Sequence, residues 1–149
     1  MKQLCSLPVK YALIMCGVVI VCLATAELSG QTKSPLLAFF PIIAQIVIWY
    51  LGIREKKRQQ KGKLTYKQGV FEGFKMGLAF GIISPFIFLA YYLVVNPSMI
   101  ETARSLYQLV GQPDGVVIAV DLTIQCISSI LFGILYGAIF SSFLKTKTK

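Results

Sequence analysis

Four long apolar runs, each bounded by polar or basic residues, dominate the pattern of this chain. A helix needs about 20 residues to cross the ~30 Å hydrocarbon core of a bilayer, at a rise of ~1.5 Å per residue. Strands of a membrane barrel would be about ten residues long and would alternate between apolar and polar positions. The pattern therefore predicts four membrane-spanning helices. These helices cover approximately residues 11–28, 35–53, 70–95 and 116–140.

The segment between the third and fourth runs has its own helical pattern. Ser98 and Glu101 have the spacing of a capping box, in which a hydroxyl and a carboxylate satisfy the first free amides of a helix. Apolar residues then share one helical face: Ile100, Ala103, Tyr107 and Val110. We predict a short amphipathic helix on the outer membrane interface. A lid over a cavity between the spans is the alternative.

The predicted fold class is all-α, with a single transmembrane domain over residues 1–149. It is an integral membrane four-helix bundle with the short amphipathic helix in the outer loop. Composition agrees, because 56% of the residues are hydrophobic and only 14% are charged, whereas a soluble domain carries about 25% charged residues. The mean hydropathy is +0.71.

The chain contains no histidine, which excludes every catalytic or metal site that depends on imidazole. None of its four cysteines forms a Cys-x-x-Cys pair. The sequence also lacks a nucleophile elbow and a phosphate-binding loop. We therefore expect no enzyme activity, catalytic residue, cofactor or metal.

The basic residues predict the orientation, because Lys and Arg concentrate on the cytoplasmic side of membrane proteins. Thirteen of the fifteen would lie on one side: Lys2, Lys10, Arg54, Lys56, Lys57, Arg58, Lys61, Lys63, Lys67, Lys75, Lys145, Lys147 and Lys149. Only Lys33 and Arg104 would lie on the other. We therefore place both termini in the cytoplasm. Cleavage of the first run as a secretory signal near Ala24-Thr25-Ala26 is the alternative.

Aromatic residues stand near the ends of the predicted spans: Tyr11, Trp49, Tyr50, Tyr91 and Tyr92. Rings with a polar tip favour the boundary between lipid and water. We interpret these residues as anchors at the two membrane interfaces.

The segment 54–67 contains seven of the basic residues. Its expected partner is the bilayer itself, through anionic headgroups on the cytoplasmic side. Docking of nucleic acid or of an acidic protein is the alternative. We do not expect nucleic acid, because no aromatic residue interleaves with the charges before Tyr66.

Glycines recur at every fourth position at the start of the third span: Gly69, Gly73, Gly77 and Gly81. On a helix they form a ridge without side chains, which lets another helix approach closely. Gly133 and Gly137 repeat the spacing in the last span. We predict that this glycine ridge packs against another helix of the same chain, most simply the last span. Homo-oligomerisation through the ridge is the alternative.

Polar residues inside the spans mark a candidate intramembrane site. Asp121 lies about five residues inside the last span, Gln125 lies one turn further along the same face, and Gln45 lies in the middle of the second span. We interpret Asp121 as a group near the membrane rim that pairs with Arg104 or reaches headgroup water. Binding of a cation or a proton is the alternative.

Several local motifs together resemble one protein family. They are residues 64–74 (LTYKQGVFEGF), the pairs Tyr91-Tyr92 and Asn96-Pro97, and residues 131–137 (LFGILYG) before a lysine tail. The chain resembles the bacterial membrane family called domain of unknown function 4199. The resemblance implies a four-helix protein of the bacterial inner membrane, with no activity to transfer. We expect a multi-pass, non-enzymatic packing or interaction component, with a small oligomeric transporter or channel as the alternative.

Overall fold

A computed structural model describes residues 6–30 and 35–146 of the protein, and all regular structure within these ranges is helical. The five α-helices are α1 (Leu7–Leu28), α2 (Pro35–Gln59), α3 (Tyr66–Ala90), α4 (Ser98–Leu106) and α5 (Asp114–Leu144). A π-helical turn, Tyr91–Val95, continues α3. The predicted all-α class is therefore confirmed. Four lysines used to predict the orientation lie outside the described residues: Lys2, Lys33, Lys147 and Lys149.

Within the described part of the chain, three helical segments are long and apolar enough to cross a membrane: Leu7–Leu28, Tyr66–Val95 and Asp114–Leu144. Large apolar side chains are exposed along all three, including Val21, Phe86 and Leu131. A soluble monomer rarely exposes so continuous an apolar surface. The molecule thus has the surface expected of a membrane protein.

The basic segment 54–67 is not one loop, because α2 extends through its first half to Gln59. Two ion pairs hold this extension against its neighbours. Lys10 of α1 bonds to the carboxylate of Glu55 at 3.0 Å, and Lys56 lies 3.2 Å from the buried carboxylate of Glu72 on α3. Lys75, the partner that spacing alone suggests for Glu72, is more distant at 3.9 Å.

A capping box begins α3, and sequence reasoning missed it. The Thr65 hydroxyl accepts from the backbone amide of Gln68 at 3.3 Å, and the Gln68 side chain accepts from the amide of Thr65 at 3.1 Å. The capping box predicted for α4 is wrong. Pro97 is the N-cap of that helix, and Ser98, its first residue, donates to the side chain of Asn96 instead. Because α4 ends at Leu106, Val110 does not continue its apolar face.

Trp49 is buried in the protein core and its ring does not face the outside of the molecule. It is 2% exposed and packs in one cluster with Met15 of α1 and with Met76 and Phe80 of α3. A second cluster at the other end of the bundle joins the π-helical turn to α4 and α5. The interpretation of Trp49 as an interface anchor is therefore wrong.

The most extensive contact between two helices joins α3 to α5. A Cβ atom added at Gly77 would lie 2.5 Å from the carbonyl oxygen of Ser129 and 3.2 Å from the Cα of Gly133. One added at Gly73 would lie 2.7 Å from the Cα of Gly137. Two of these distances, 2.5 and 2.7 Å, are shorter than real Cβ contacts, so only glycine permits this backbone contact without a shift of the helices.

The contact continues along both helices in antiparallel register. Beyond Gly73 and Gly77, Gly69 lies against Ser141 and Gly81 lies against Cys126. Ser141 therefore extends the four-residue spacing of small residues on α5, a signal that counting glycines alone does not detect. The glycine face of α3 is occupied by α5 of the same chain.

The α3–α5 contact predicts a large stability difference between two matched substitutions. Gly77→Leu should destabilise the protein by about 3 kcal/mol, because the added side chain has to separate two backbones. Gly17→Leu on α1 is the control, since nothing lies within 4 Å of a Cβ at that position. The control should be neutral or slightly stabilising through helix propensity. Thermal unfolding in detergent measures both, and equal melting of the two variants would contradict this packing.

Candidate functional site

The carboxylate of Asp121 is the centre of a buried hydrogen-bond cluster near one end of α5. Its side chain accepts from the hydroxyl of Tyr92 at 2.5 Å, from the amide of Gln125 at 2.6 Å and from the hydroxyl of Tyr107 at 2.8 Å. The residue is only 5% exposed. These donors come from the π-helical turn, from α5 itself and from Tyr107, the residue that follows α4. Asp121 thus ties three segments together.

The π-helical turn explains how two adjacent tyrosines both point inward. The amide of Asn96 donates to the carbonyl oxygen of Tyr91, five residues earlier, at 2.9 Å. Such a turn changes the direction of successive side chains relative to an α-helix. Tyr92 consequently reaches Asp121 on α5, while Tyr91 donates to Glu27 on α1. Both tyrosines are buried, so the interpretation of them as interface anchors is wrong.

Glu27 forms a second polar link at the same end of the molecule. Besides the Tyr91 hydroxyl, it accepts from the side-chain amide of Asn96 at 2.6 Å. The helix α1 runs without a break through Ala24-Thr25-Ala26 to reach this position. The segment considered as a cleavage site is therefore an internal part of a continuous helix.

The partner predicted for Asp121 is wrong. Arg104 pairs instead with Glu101 at 3.2 Å and with Asp114, and it also donates to the carbonyl oxygen of Gln112. Through these bonds, Arg104 joins the last turn of α4 to the connecting segment and to the first residue of α5. Asp121 is therefore neither ion-paired to Arg104 nor exposed to headgroup water.

Tyr107 lies outside the spanning helices and is only partly exposed. Burial and the hydrogen bond to Asp121 raise the pKa of Tyr107 to about 12, from an ordinary value of about 10. The phenol therefore remains a protonated donor at physiological pH. Its contribution to stability is complete below about pH 10 and is lost as the pH rises towards about 12.

A small, half-open cavity between the helices adjoins the Asp121 cluster. Its volume is about 210 Å³, and hydrogen-bonding side chains from three helices line it: Gln45 of α2, Ser84 of α3, and Gln125, Ser128 and Ser129 of α5. The Ser84 hydroxyl is buried and has no hydrogen-bond partner among the residues that the structure describes. Gln125 connects this cavity to Asp121. The structure thus brings together all three polar residues that the sequence singled out.

The serines and tyrosines of this region were missed by sequence reasoning. Ser128 and Ser129 lie one turn beyond Gln125, and that spacing was an available signal. Ser84 gave no signal because serine is common in membrane helices, where it often bonds to its own backbone. Chemically, the cavity offers neutral donors and acceptors. In the described ranges, no group of three or more Cys, Asp or Glu side chains is placed to hold a metal ion.

The cluster predicts a measurable energetic coupling between Asp121 and Tyr92. Asp121→Asn should destabilise the protein by about 2 kcal/mol, because an amide presents one acceptor oxygen where two are used. Tyr92→Phe removes one of the same bonds, so the double variant should lose less stability than the two single losses added together. Unfolding in detergent gives these free energies.

Glu101→Gln is the control for the change from acid to amide. The Glu101 side chain is 72% exposed, so replacing its carboxylate by an amide should alter the free energy of unfolding by less than about 0.5 kcal/mol. Strict additivity of the Asp121 and Tyr92 effects would show that the two side chains do not interact.

Comparison with known proteins identifies the family. No match was found among curated proteins or among solved structures. One family model, described as protein of unknown function (DUF4199), matches residues 10–146. The matched range contains the glycine contact, the Asp121 cluster and the polar cavity, and it covers nearly the whole chain. The chain therefore belongs to the DUF4199 family.

Proposed function

We propose that the protein is a non-enzymatic packing or interaction component of the bacterial inner membrane. The observation that carries this proposal is the use of three acidic side chains, of which Glu72 and Asp121 are buried and Glu27 is partly buried. Glu27, Glu72 and Asp121 each bond to a different helix or connecting segment within the chain. Acids committed to such links are structural, whereas a catalytic acid has to face a substrate.

The proposed topology has four spans, with α2 as the second, and both termini in the cytoplasm. Lys10 bonds to Glu55, and Thr146 bonds to both Leu64 and Gly62. The start of α1, the α2–α3 connection and the end of α5 therefore lie at the same end of the bundle. Together with the adjoining last turns of α2 and first turns of α3, these three segments contain most of the basic residues, which favours the cytoplasmic side for that end.

Reporter fusions test this orientation. Alkaline phosphatase, which is active only outside the cytoplasm, should give no activity after Thr146 and strong activity when inserted at Gly111. Gly111 is the better insertion point because it is exposed and no atom would lie within 4 Å of a Cβ added there. Activity at Thr146 would reverse the topology or indicate that the first helix is removed.

A second candidate function is passage of a small solute, with the protein acting as an oligomeric transporter or channel. The polar cavity favours it, because unpaired hydrogen-bonding groups inside a membrane are costly unless water or a ligand satisfies them. The cavity at about 210 Å³ is smaller than the ~300–1,000 Å³ of a drug-sized ligand site, so the solute would be small.

Liposomes containing the purified protein separate the two functions. The packing role predicts that proton and glycerol permeation equal those of protein-free liposomes, within about twofold. The transport role predicts faster permeation that falls by about tenfold in the Ser84→Leu variant, because the larger side chain fills the cavity. Faster permeation of either solute, abolished by this variant, would overturn the leading proposal.

A further inference from the structure

A second cavity, unrelated to the Asp121 cluster, opens at the basic end of the molecule. It is a cleft of about 790 Å³ between the first turns of α1 and the last turns of α2. Arg54, Arg58 and Gln59 of α2 line it, together with Lys10 of α1 and the apolar residue Leu51. We call it the α1–α2 cleft.

Only some of the charged side chains in this cleft form an ion pair. Glu55, its single acid, accepts two bonds from Lys10, at 3.0 and 3.1 Å, and one from the hydroxyl of Tyr11 at 2.6 Å. These bonds hold the pKa of the Glu55 carboxyl below its usual range, so the acid remains ionised and paired with Lys10. Within residues 6–30 and 35–146, no acid forms a salt bridge with Arg54 or Arg58. The cleft therefore has excess positive charge on two guanidinium groups.

The two arginines are placed to act on one anion. They are four residues apart on α2, so their side chains leave the same face of the helix about 6 Å apart. Guanidinium groups bind phosphate through paired N–H donors, with a geometry that lysine does not offer. A single phosphate between Arg54 and Arg58 would satisfy both.

The cleft also has an apolar side. Leu51 is 40% exposed and lies one turn before Arg54, and Val47 lies one further turn along the same helix with 48% exposure. Along α2, two exposed apolar side chains are thus followed by the two arginines. This is the order in which a phospholipid presents an acyl chain and a phosphate.

We propose that the α1–α2 cleft binds the headgroup of one anionic phospholipid, with its phosphate on Arg54 and Arg58. The acyl chain lies along Leu51 and Val47, and the amide of Gln59 faces the polar end of the headgroup. The proposal rests on the proposed topology, in which α2 spans the membrane and this end is cytoplasmic. It differs from diffuse attraction of the basic segment because it requires a fixed stoichiometry and two particular residues.

Native mass spectrometry of the full chain in detergent tests the site with phosphatidylglycerol and with zwitterionic phosphatidylethanolamine. The parent protein should retain one phosphatidylglycerol in preference to phosphatidylethanolamine. The double variant Arg54→Gln/Arg58→Gln should lower this retention by about tenfold or more. Its thermal stability should match the parent, because both arginines are exposed.

The matched control is Lys63→Gln/Lys67→Gln, which removes the same charge from the same basic segment but outside the cleft. It should change retention by less than about twofold. An equal loss of phosphatidylglycerol retention in this control would show that the lipid is held by diffuse positive charge, and this result would overturn the proposal.

A competition arm separates lipid from free phosphate. Excess inorganic phosphate should leave the lipid bound, because phosphate lacks the acyl chains that contact Leu51. Displacement by phosphate, or absence of a phosphatidylglycerol adduct, would also overturn the proposal. Since the assay is performed in detergent, it does not depend on orientation, and a failed phosphatase-fusion test would contradict the topology alone.

Discussion

Helices surrounded by hydrocarbon gain little from burying apolar side chains, because lipid tails are as apolar as leucine. Their association depends instead on close backbone contact and on polar bonds. The antiparallel contact of α3 with α5 supplies the first of these, where Gly73 meets Gly137 and Gly77 meets Gly133 without any side chain between them. The positions of α1 and α2 follow from this pair, since both pack against it.

Polar bonds supply the second source of association, and they are distributed to both ends of the bundle. At the basic end, Lys10–Glu55 joins α1 to α2, and Lys56–Glu72 joins α2 to α3. At the opposite end, Tyr91 joins the π-helical turn to Glu27 of α1. Such bonds contribute about 0.6 kcal/mol each on average in membrane proteins, so their role is to select one arrangement of helices as much as to stabilise it.

The polar cavity lies where close backbone packing gives way to side chains. Beyond the contact of Gly81 with Cys126, the α5 face carries Gln125, and the π-helical turn brings in Tyr92. The same pair of helices is therefore tightly closed along one stretch and hydrogen-bonded along the next. A packing role uses the closed stretch, and a transport role would use the cavity beside it.

Much of the helical framework was predictable because it follows from local patterns. The need for about 20 apolar residues per span identified helices at Leu7–Leu28, Tyr66–Val95 and Asp114–Leu144, with differences of a few residues at their ends. The length of α2 was not predicted, because its last turns are held by contacts between residues far apart in sequence. Lys56 pairs with Glu72 of α3, and Glu55 pairs with Lys10 of α1. Helix ends depend on such contacts, and spacing alone does not reveal them.

The sequence by itself determined that the chain is helical and apolar on its outside, and that small residues recur on α3 and α5. Only the tertiary structure decided which groups meet. It placed Gly77 against Ser129 and Asp121 against Tyr92, and it directed Arg104 to Asp114. The physical reason is that hydropathy and periodicity are properties of one helix, whereas a partner depends on the rotation and depth of two helices together. One π-helical turn, which the pattern of hydrophobic positions does not predict, is enough to change the partner that a tyrosine side chain reaches.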